Sequence, residues 1–206
     1  KSYVFGPNGR WDYLFNIDFE QYIQDPLNPR RSRGFFGETS EVAMPGWTEP
    51  KHLDVPAGAR GRIERFIFTS EILSNEREIR VYLPAGYEGG QQRYPLLIVN
   101  NGIRAINLGM MDRTLDNLLG NSVAPLIVAF VDSLPSPDVF TEYGGVLGDD
   151  YAHMLVQELI PHLDKNFRTL RQADARAIMG TFLAAQVSLY TALLHPEAFG
   201  KVASQS

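Results

Sequence analysis

Two rhythms of apolar and polar residues run along this chain, and they change near residue 62. Over 62–73 and again over 78–83 apolar and polar positions alternate, the period of half-buried strands, with Ser74-Asn75 between them as a hairpin turn. Residues 95–99 and 125–131 then run almost without a polar break, as strands do when both faces of a parallel sheet are covered. Between those runs, 111–119 predicts a short helix. A longer helix is predicted over 149–166, where Tyr151, Leu155, Leu159 and His162-Leu163 fall near one face and Asp149/Asp150 suit the positive N-terminal end. A third short strand at 177–179, a helix over 183–194 and a fourth strand at 201–204 complete the pattern. Strands alternating with helices predict an α/β fold with a mostly parallel sheet and flanking helices.

The first fifty residues read differently. They are aromatic and turn-rich, with short strands predicted at 11–15 and 19–23 and a turn cluster at Asp25-Pro26-Leu27-Asn28-Pro29. Met44-Pro45-Gly46-Trp47 and Glu49-Pro50 close this region, and the Pro/Gly/Ala-rich stretch 54–61 reads as a linker. The expected organisation is a β segment at 1–53, a linker at 54–61 and an α/β domain at 62–206. Both ends read as cut: Lys1 is not an initiator Met, and Ser206 follows an apolar strand directly. A processed or truncated chain is therefore expected.

Composition narrows the function. At 44% hydrophobic and 21% charged, the 206 residues describe a folded protein and not a disordered tail. The net charge of −5 and the lack of a basic stripe exclude a nucleic-acid footprint. With no cysteine there is no disulfide, no thiolate metal site and no cysteine nucleophile. The longest apolar runs are far shorter than the roughly 20 residues a membrane-spanning helix needs. No H-E-x-x-H, P-loop or G-x-G-x-x-G occurs, so neither a metal nor a cofactor is implied.

A set of short motifs then falls in register. Arg80-Val81-Tyr82-Leu83-Pro84-Ala85-Gly86-Tyr87, Tyr94 to Val99, Arg113 to Leu118, Pro125 to Asp132, Glu142-Tyr143, Glu158 to Pro161, Asn166 to Thr169 and His195 to Val202 resemble, in order, the esterase family of α/β-hydrolases. That family includes enterochelin esterases, S-formylglutathione hydrolases, feruloyl esterases and mycolyltransferases. Tyr13-Leu14-Phe15, Asp25 to Arg30 and Met44 to Trp47 resemble the end of the immunoglobulin-like (E-set) domain that precedes the hydrolase in enterochelin-esterase-type proteins. The resemblance implies an α/β-hydrolase sheet lacking its C-terminal strands, preceded by a partial β-sandwich segment. It favours a cytoplasmic location, with the envelope or secretion left open.

The resemblance also implies where the site should be, and there the chain departs from it. An α/β-hydrolase carries its nucleophile in G-x-S-x-G, on a sharp turn between strand and helix. Here that frame holds Gly180-Thr181-Phe182-Leu183-Ala184, with Ala185 at a further position where the family commonly has Gly. Phe182 occupies the nucleophile position and has no group that can attack a carbonyl. Thr181 and Ser188 are the nearest hydroxyls, Thr181 before the apex and Ser188 inside the helix. The family's acid and histidine follow the nucleophile in the chain. The one histidine after Phe182 is His195, expected as a helix C-terminal cap, and Glu197 lies too close in sequence to reach the apex. His153 and His162 are expected in packing or surface roles, and His52 carries no signal. No catalytic residue is assigned. The strain of an elbow serves catalysis, so Phe182 is expected either to relax to a negative φ or to bury its ring in the former acyl pocket.

Asn101-Gly102-Ile103, after the strand at 95–99, occupies the place of the family's oxyanion loop, and its alternative reading is ordinary Asn-Gly turn chemistry. Asp149 and Asp150 project in different directions from a helix and read as a solvated N-terminal pair. Three functions stay open: a non-catalytic esterase-like binding or structural protein, an active carboxylic ester hydrolase with an unrecognised nucleophile, and a carbohydrate- or envelope-binding scaffold. The last rests on the aromatic cluster Trp11, Tyr13, Phe35, Phe36 and Trp47. The partners implied are a small ester or a glycan, and a second copy or another chain completing the sheet edge at 201–204.

Overall fold

In the computed structural model, which describes residues 4–34, 37–135 and 138–205, the chain divides into two units, Lys1–Leu53 and Asp54–Ser206. The first contains β1 (Arg10–Tyr13), β2 (Phe15–Ile17), β3 (Gln21–Ile23), β4 (Arg31–Gly34) and β5 (Gly37–Ala43). Strands β1, β5 and β4 form an antiparallel sheet in that order, and β2 and β3 form a separate hairpin. The run predicted at 11–15 is broken at Leu14 into β1 and β2. The strand predicted from residue 19 begins two residues later, because Asp18 and Phe19 form the turn, with φ 51° and 62°. β4 and β5 carry no apolar alternation to announce them. Polar contacts bind them instead: Arg10 Nε donates to Glu41 at 2.8 Å and Arg10 Nη2 to Ser32 Oγ at 3.2 Å.

The Asp25 cluster is a turn, as expected. Its carboxylate accepts from the Tyr13 hydroxyl at 2.7 Å and from the Leu27 N–H at 2.8 Å, and these bonds, the hydroxyl first, hold it below the usual carboxylate range. Ser40 is the one buried residue among the described residues of this unit.

The second unit holds β6 (Arg62–Ser70), β7 (Asn75–Leu83), β8 (Leu96–Asn100), β9 (Ile127–Val131), β10 (Arg176–Thr181) and β11 (Lys201–Gln205). They form one six-stranded sheet in the order β11-β10-β8-β9-β7-β6. The β6–β7 and β7–β9 pairs are antiparallel and the rest parallel, the mixed α/β architecture that the periodicity implied. The hairpin turn spans 71–74, and Asn75 already belongs to β7. The turn is moved by a tertiary contact: Glu158 accepts from the Ser70 hydroxyl and from the N–H groups of Glu71 and Ile72.

The helices are α1 (Gly102–Asn107), α2 (Met111–Leu118), α3 (Asp138–Gly144), α4 (Gly148–His153), α5 (Ile160–Asn166) and α6 (Leu183–Leu194). A π-helical segment, Met154–Leu159, joins α4 to α5, so the predicted long helix is continuous but widened just before Pro161. That residue has no N–H for the turn before it. Alternation along β7 sends Ile79, Val81 and Leu83 to one face, against Tyr151, Leu155, Leu159 and Leu163. Tyr82 faces the other way, with Val99, Val128, Phe130 and Leu115 of α2. Each large side chain so buried contributes about 1.5–3 kcal/mol, which is what holds helices on both faces.

Candidate functional site

At the carboxyl ends of the parallel strands, where open α/β sheets bind ligands, β10 ends at Thr181 and α6 begins at Leu183. One residue makes the turn. A side chain on Gly180 would place its Cβ 2.2 Å from the Ala184 carbonyl oxygen, so strand and helix approach as closely as backbones can. The methyls of Ala184 and Ala185 fill the remaining space.

Phe182 at the apex has φ 64° and ψ −127° and is 54% exposed. It has neither relaxed nor buried its ring, and the expectation of one or the other is corrected. The physical reason lies in its neighbours. The Phe182 N–H donates to the Gln205 carbonyl of β11 at 2.9 Å, and its own carbonyl accepts from Ala185 at 2.9 Å and Gln186 at 3.3 Å. The backbone is fixed on both sides, so the frame sets φ whatever side chain it carries. Holding such a conformation costs about 1–3 kcal/mol.

The nearby hydroxyls are engaged. Thr181 Oγ1 donates to Gln205 Oε1 at 3.2 Å. Ser188 is fully buried; its Oγ donates to the Ala184 carbonyl at 2.6 Å and accepts from Asn100 Nδ2 at 2.9 Å. Leu183 opens the helix half-buried.

Across the sheet end, Asn101 takes a left-handed conformation (φ 62°, ψ 45°) at the start of α1. Its N–H donates to the Tyr143 hydroxyl at 3.3 Å, and its Oδ1 accepts from Ser133 Oγ at 3.3 Å. A Cβ on Gly102 would lie 2.5 Å from Phe130 Cβ, so this loop too rests directly on a neighbouring strand. The Ile103 N–H donates to Asp132 Oδ1 at 2.7 Å. Burial pushes the Asp132 carboxyl up, against the downward pull of Arg80 and of that N–H.

Behind both turns lies a buried polar chain that the sequence reading did not single out. The Tyr151 hydroxyl donates to Asn100 Oδ1 at 2.7 Å and lies 3.5 Å from the Tyr143 hydroxyl. Burial pushes Tyr143 up to about 12 and Tyr151 well above the ordinary tyrosine range. Beside them Arg77 pairs with Glu142 at 2.8 Å, both side chains 1% exposed, and Asn75 binds both partners. The visible signal was a charge inside β7 and a polar Asn closing an apolar run.

The histidines are placed elsewhere. His195 caps the C-terminus of α6, its N–H donating to Thr191, with Nδ1 3.0 Å from Glu197. His153 packs its ring edge-on against His195, and His162 stacks on Phe66. Asp149 and Asp150 sit in the first turn of α4, where Asp149 accepts from the Tyr190 hydroxyl. Among the described residues no group of three or more His, Asp or Glu is arranged to hold a metal ion. No helix described is long and apolar enough to cross a membrane. In the aromatic cluster, Trp11 packs on Phe5 with ring centres 4.5 Å apart, Tyr13 bonds Asp25, and Trp47 Nε1 donates to Glu49. Phe35 and Phe36 lie outside the described residues.

Comparison with known proteins gives this geometry a family. A family model described as "Putative esterase" matches residues 70–206. An endo-1,4-beta-xylanase/feruloyl esterase of Xylanibacter ruminicola is 31% identical over 150 residues, 68% of this chain and 21% of that protein. The iron(III) enterobactin esterase of Escherichia coli O6:H1 is 25% identical over 193 residues, 90% of this chain and 46% of that protein. The enterobactin esterase of Shigella flexneri, solved in the presence of enterobactin, superposes with a TM-score of 0.79 at 22% identity, covering 94% of this chain and 55% of that one. The chain thus spans about half the length of the enterobactin esterases it matches. On the strength of the family match and of the feruloyl esterase relative, the chain belongs to the esterase family of α/β-hydrolases.

Proposed function

We propose that this chain is a non-catalytic member of its family, one that binds a small ester or acid at the strand carboxyl ends without cleaving it. The observation that carries the reading is Phe182 at the turn between β10 and α6. A phenyl ring has no lone pair with which to attack a carbonyl carbon. The two neighbouring hydroxyls support the same reading: Ser188 is buried with both hydrogen-bonding roles taken, and Thr181 is tied to Gln205. Relatives act on or bind feruloyl esters and enterobactin, so an aryl ester is the ligand class to test first. Residues 1–53 we read as the end of an immunoglobulin-like domain, on the Asp25–Pro29 turn and the Met44–Trp47 motif.

A fluorophosphonate probe and an aryl-ester hydrolysis assay test the central claim together. Removing the nucleophile costs roughly 10⁶ in turnover in one triad hydrolase. Hydrolysis is accordingly expected at background, with no residue labelled, while titration calorimetry with a non-hydrolysable aryl amide detects binding. Labelling of Ser188 or Thr181, or turnover within the usual enzyme range of about 1–10³ s⁻¹, would overturn it.

A further inference from the structure

We infer that Asp132 is a positioning residue for the ligand site: ionised, it latches the Asn101–Ile103 loop at the strand carboxyl ends, and taking up a proton releases that loop. Its effect on a ligand rests on the binding reading above, whereas the latch itself does not. β8 and β9 run parallel with Asn100 beside Val131, so Asp132 leaves β9 where the loop leaves β8. Two side chains cross the gap. Asp132 Oδ1 accepts from the Ile103 N–H at 2.7 Å, and Ser133 Oγ donates to Asn101 Oδ1 at 3.3 Å. The first N–H groups of a helix have no partner within it, and Asn101, the residue before α1, makes no side-chain cap. The cap comes from the neighbouring strand instead.

A cap needs no charge, since Asn and Ser serve as well as Asp. This one is a carboxylate directly after the fully buried run Ile127–Val131, its own side chain 16% exposed. The charged groups that face it both come from β7. Arg80 Nη1 donates to its two oxygens at 3.3 and 3.1 Å, and Arg80 Nε pairs with Glu78 at 2.6 Å. One guanidinium between two carboxylates leaves one negative charge over, and the Ile103 N–H is the neutral donor turned toward it. Burial pushes the Asp132 carboxyl up and Glu78 adds to this, against the pull of Arg80 and of the Ile103 N–H. The group therefore takes its proton in milder acid than an exposed aspartate does. Because the Ile103 bond favours the ionised form, losing that bond raises the carboxyl further, and by linkage acid favours release of the loop.

Heteronuclear NMR on the full 206-residue chain tests this. The Ile103 amide and the Asp132 carboxyl carbon should titrate with one midpoint, above the usual aspartate value of about 4. Protection of the Ile103 N–H from exchange should fall roughly tenfold below that midpoint, the gap between a charge-assisted and a neutral hydrogen bond. Asp132→Asn keeps an acceptor but no charge, and should abolish the titration at Ile103 and show the lower protection already at neutral pH. Ser133→Ala should leave the titration intact. In calorimetry, affinity for the non-hydrolysable aryl amide should fall by a similar factor below the midpoint. An Ile103 amide in the parent chain that does not follow Asp132 would overturn the latch. Affinity that ignores pH while Ile103 titrates would overturn its control of the ligand site. A parent chain that binds no aryl amide at any pH, with Ile103 still titrating, would sink the binding reading and uphold the latch.

Discussion

Gly180 and Phe182 stand two residues apart and answer to different physics. The Gly180 position was legible from motif spacing, because a strand and a helix that meet this closely exclude a Cβ. Gly180→Ala would drive a methyl to 2.2 Å from the Ala184 carbonyl oxygen, and the obstacle is helix backbone rather than a flexible side chain. We expect a loss of about 3 kcal/mol, the upper end for overpacking, read from chemical denaturation. A loss under about 1 kcal/mol would mean that strand and helix separate easily. The Phe182 conformation was not legible. Reasoning from its own side chain predicted either relaxation or a buried ring, whereas its φ is held by hydrogen bonds to Gln205, Ala185 and Gln186 and its ring stays half exposed. A residue's preference is readable in sequence only where its neighbours leave it a choice.

Among the elements, α3 shows the same limit. Seven residues are too few to display a helical period, yet α3 ties two distant parts of the unit together. Its Glu142 is held by Arg77 of β7, and its Tyr143 receives the Asn101 N–H. Glu142→Ala would strand a buried guanidinium, and we expect a loss of about 3–5 kcal/mol. Arg77 Nε has no hydrogen-bond partner even in the intact pair. Replacing both partners by apolar residues, as in Arg77→Met with Glu142→Leu, should therefore cost clearly less than Glu142→Ala alone. A double variant as unstable as the single one would show that the pair contributes net stability. Tyr143→Phe removes the acceptor of the Asn101 N–H, a bond worth about 1 kcal/mol, along with the longer contact to the Tyr151 hydroxyl, and should speed amide exchange at Asn101 in particular. Exchange there unchanged from the parent would mean that the close approach of Gly102 to Phe130 and the bonds to Ser133 and Asp132 hold the loop without it.

At the scale of the molecule, the two-faced core was the most legible feature, since long apolar runs and strand alternation report burial directly. What no periodicity reports is that burial also encloses tyrosine hydroxyls, and this sets the alkaline limit of the fold. Unfolded tyrosines lose their protons near pH 10. Tyr143 is pushed up to about 12 by burial, Tyr151 is raised well above the ordinary range, and Tyr82 is raised by burial and by the Asp116 carboxylate it bonds. Between pH 10 and 12 the unfolded chain therefore holds fewer protons than the folded one. Each such tyrosine contributes stability that is fully present below pH 10 and falls by about 1.4 kcal/mol per pH unit above it. For Tyr143 the contribution is lost as the pH rises through about 12. Denaturation midpoints should be steady from about pH 8 to 10 and then drop steeply, with the tyrosinate signals of the buried Tyr82, Tyr143 and Tyr151 appearing together with unfolding and not before it. In Tyr143→Phe the drop should be shallower by one tyrosine's share. Ionisation of Tyr82, Tyr143 and Tyr151 near pH 10 with the fold intact would show that solvent reaches these hydroxyls.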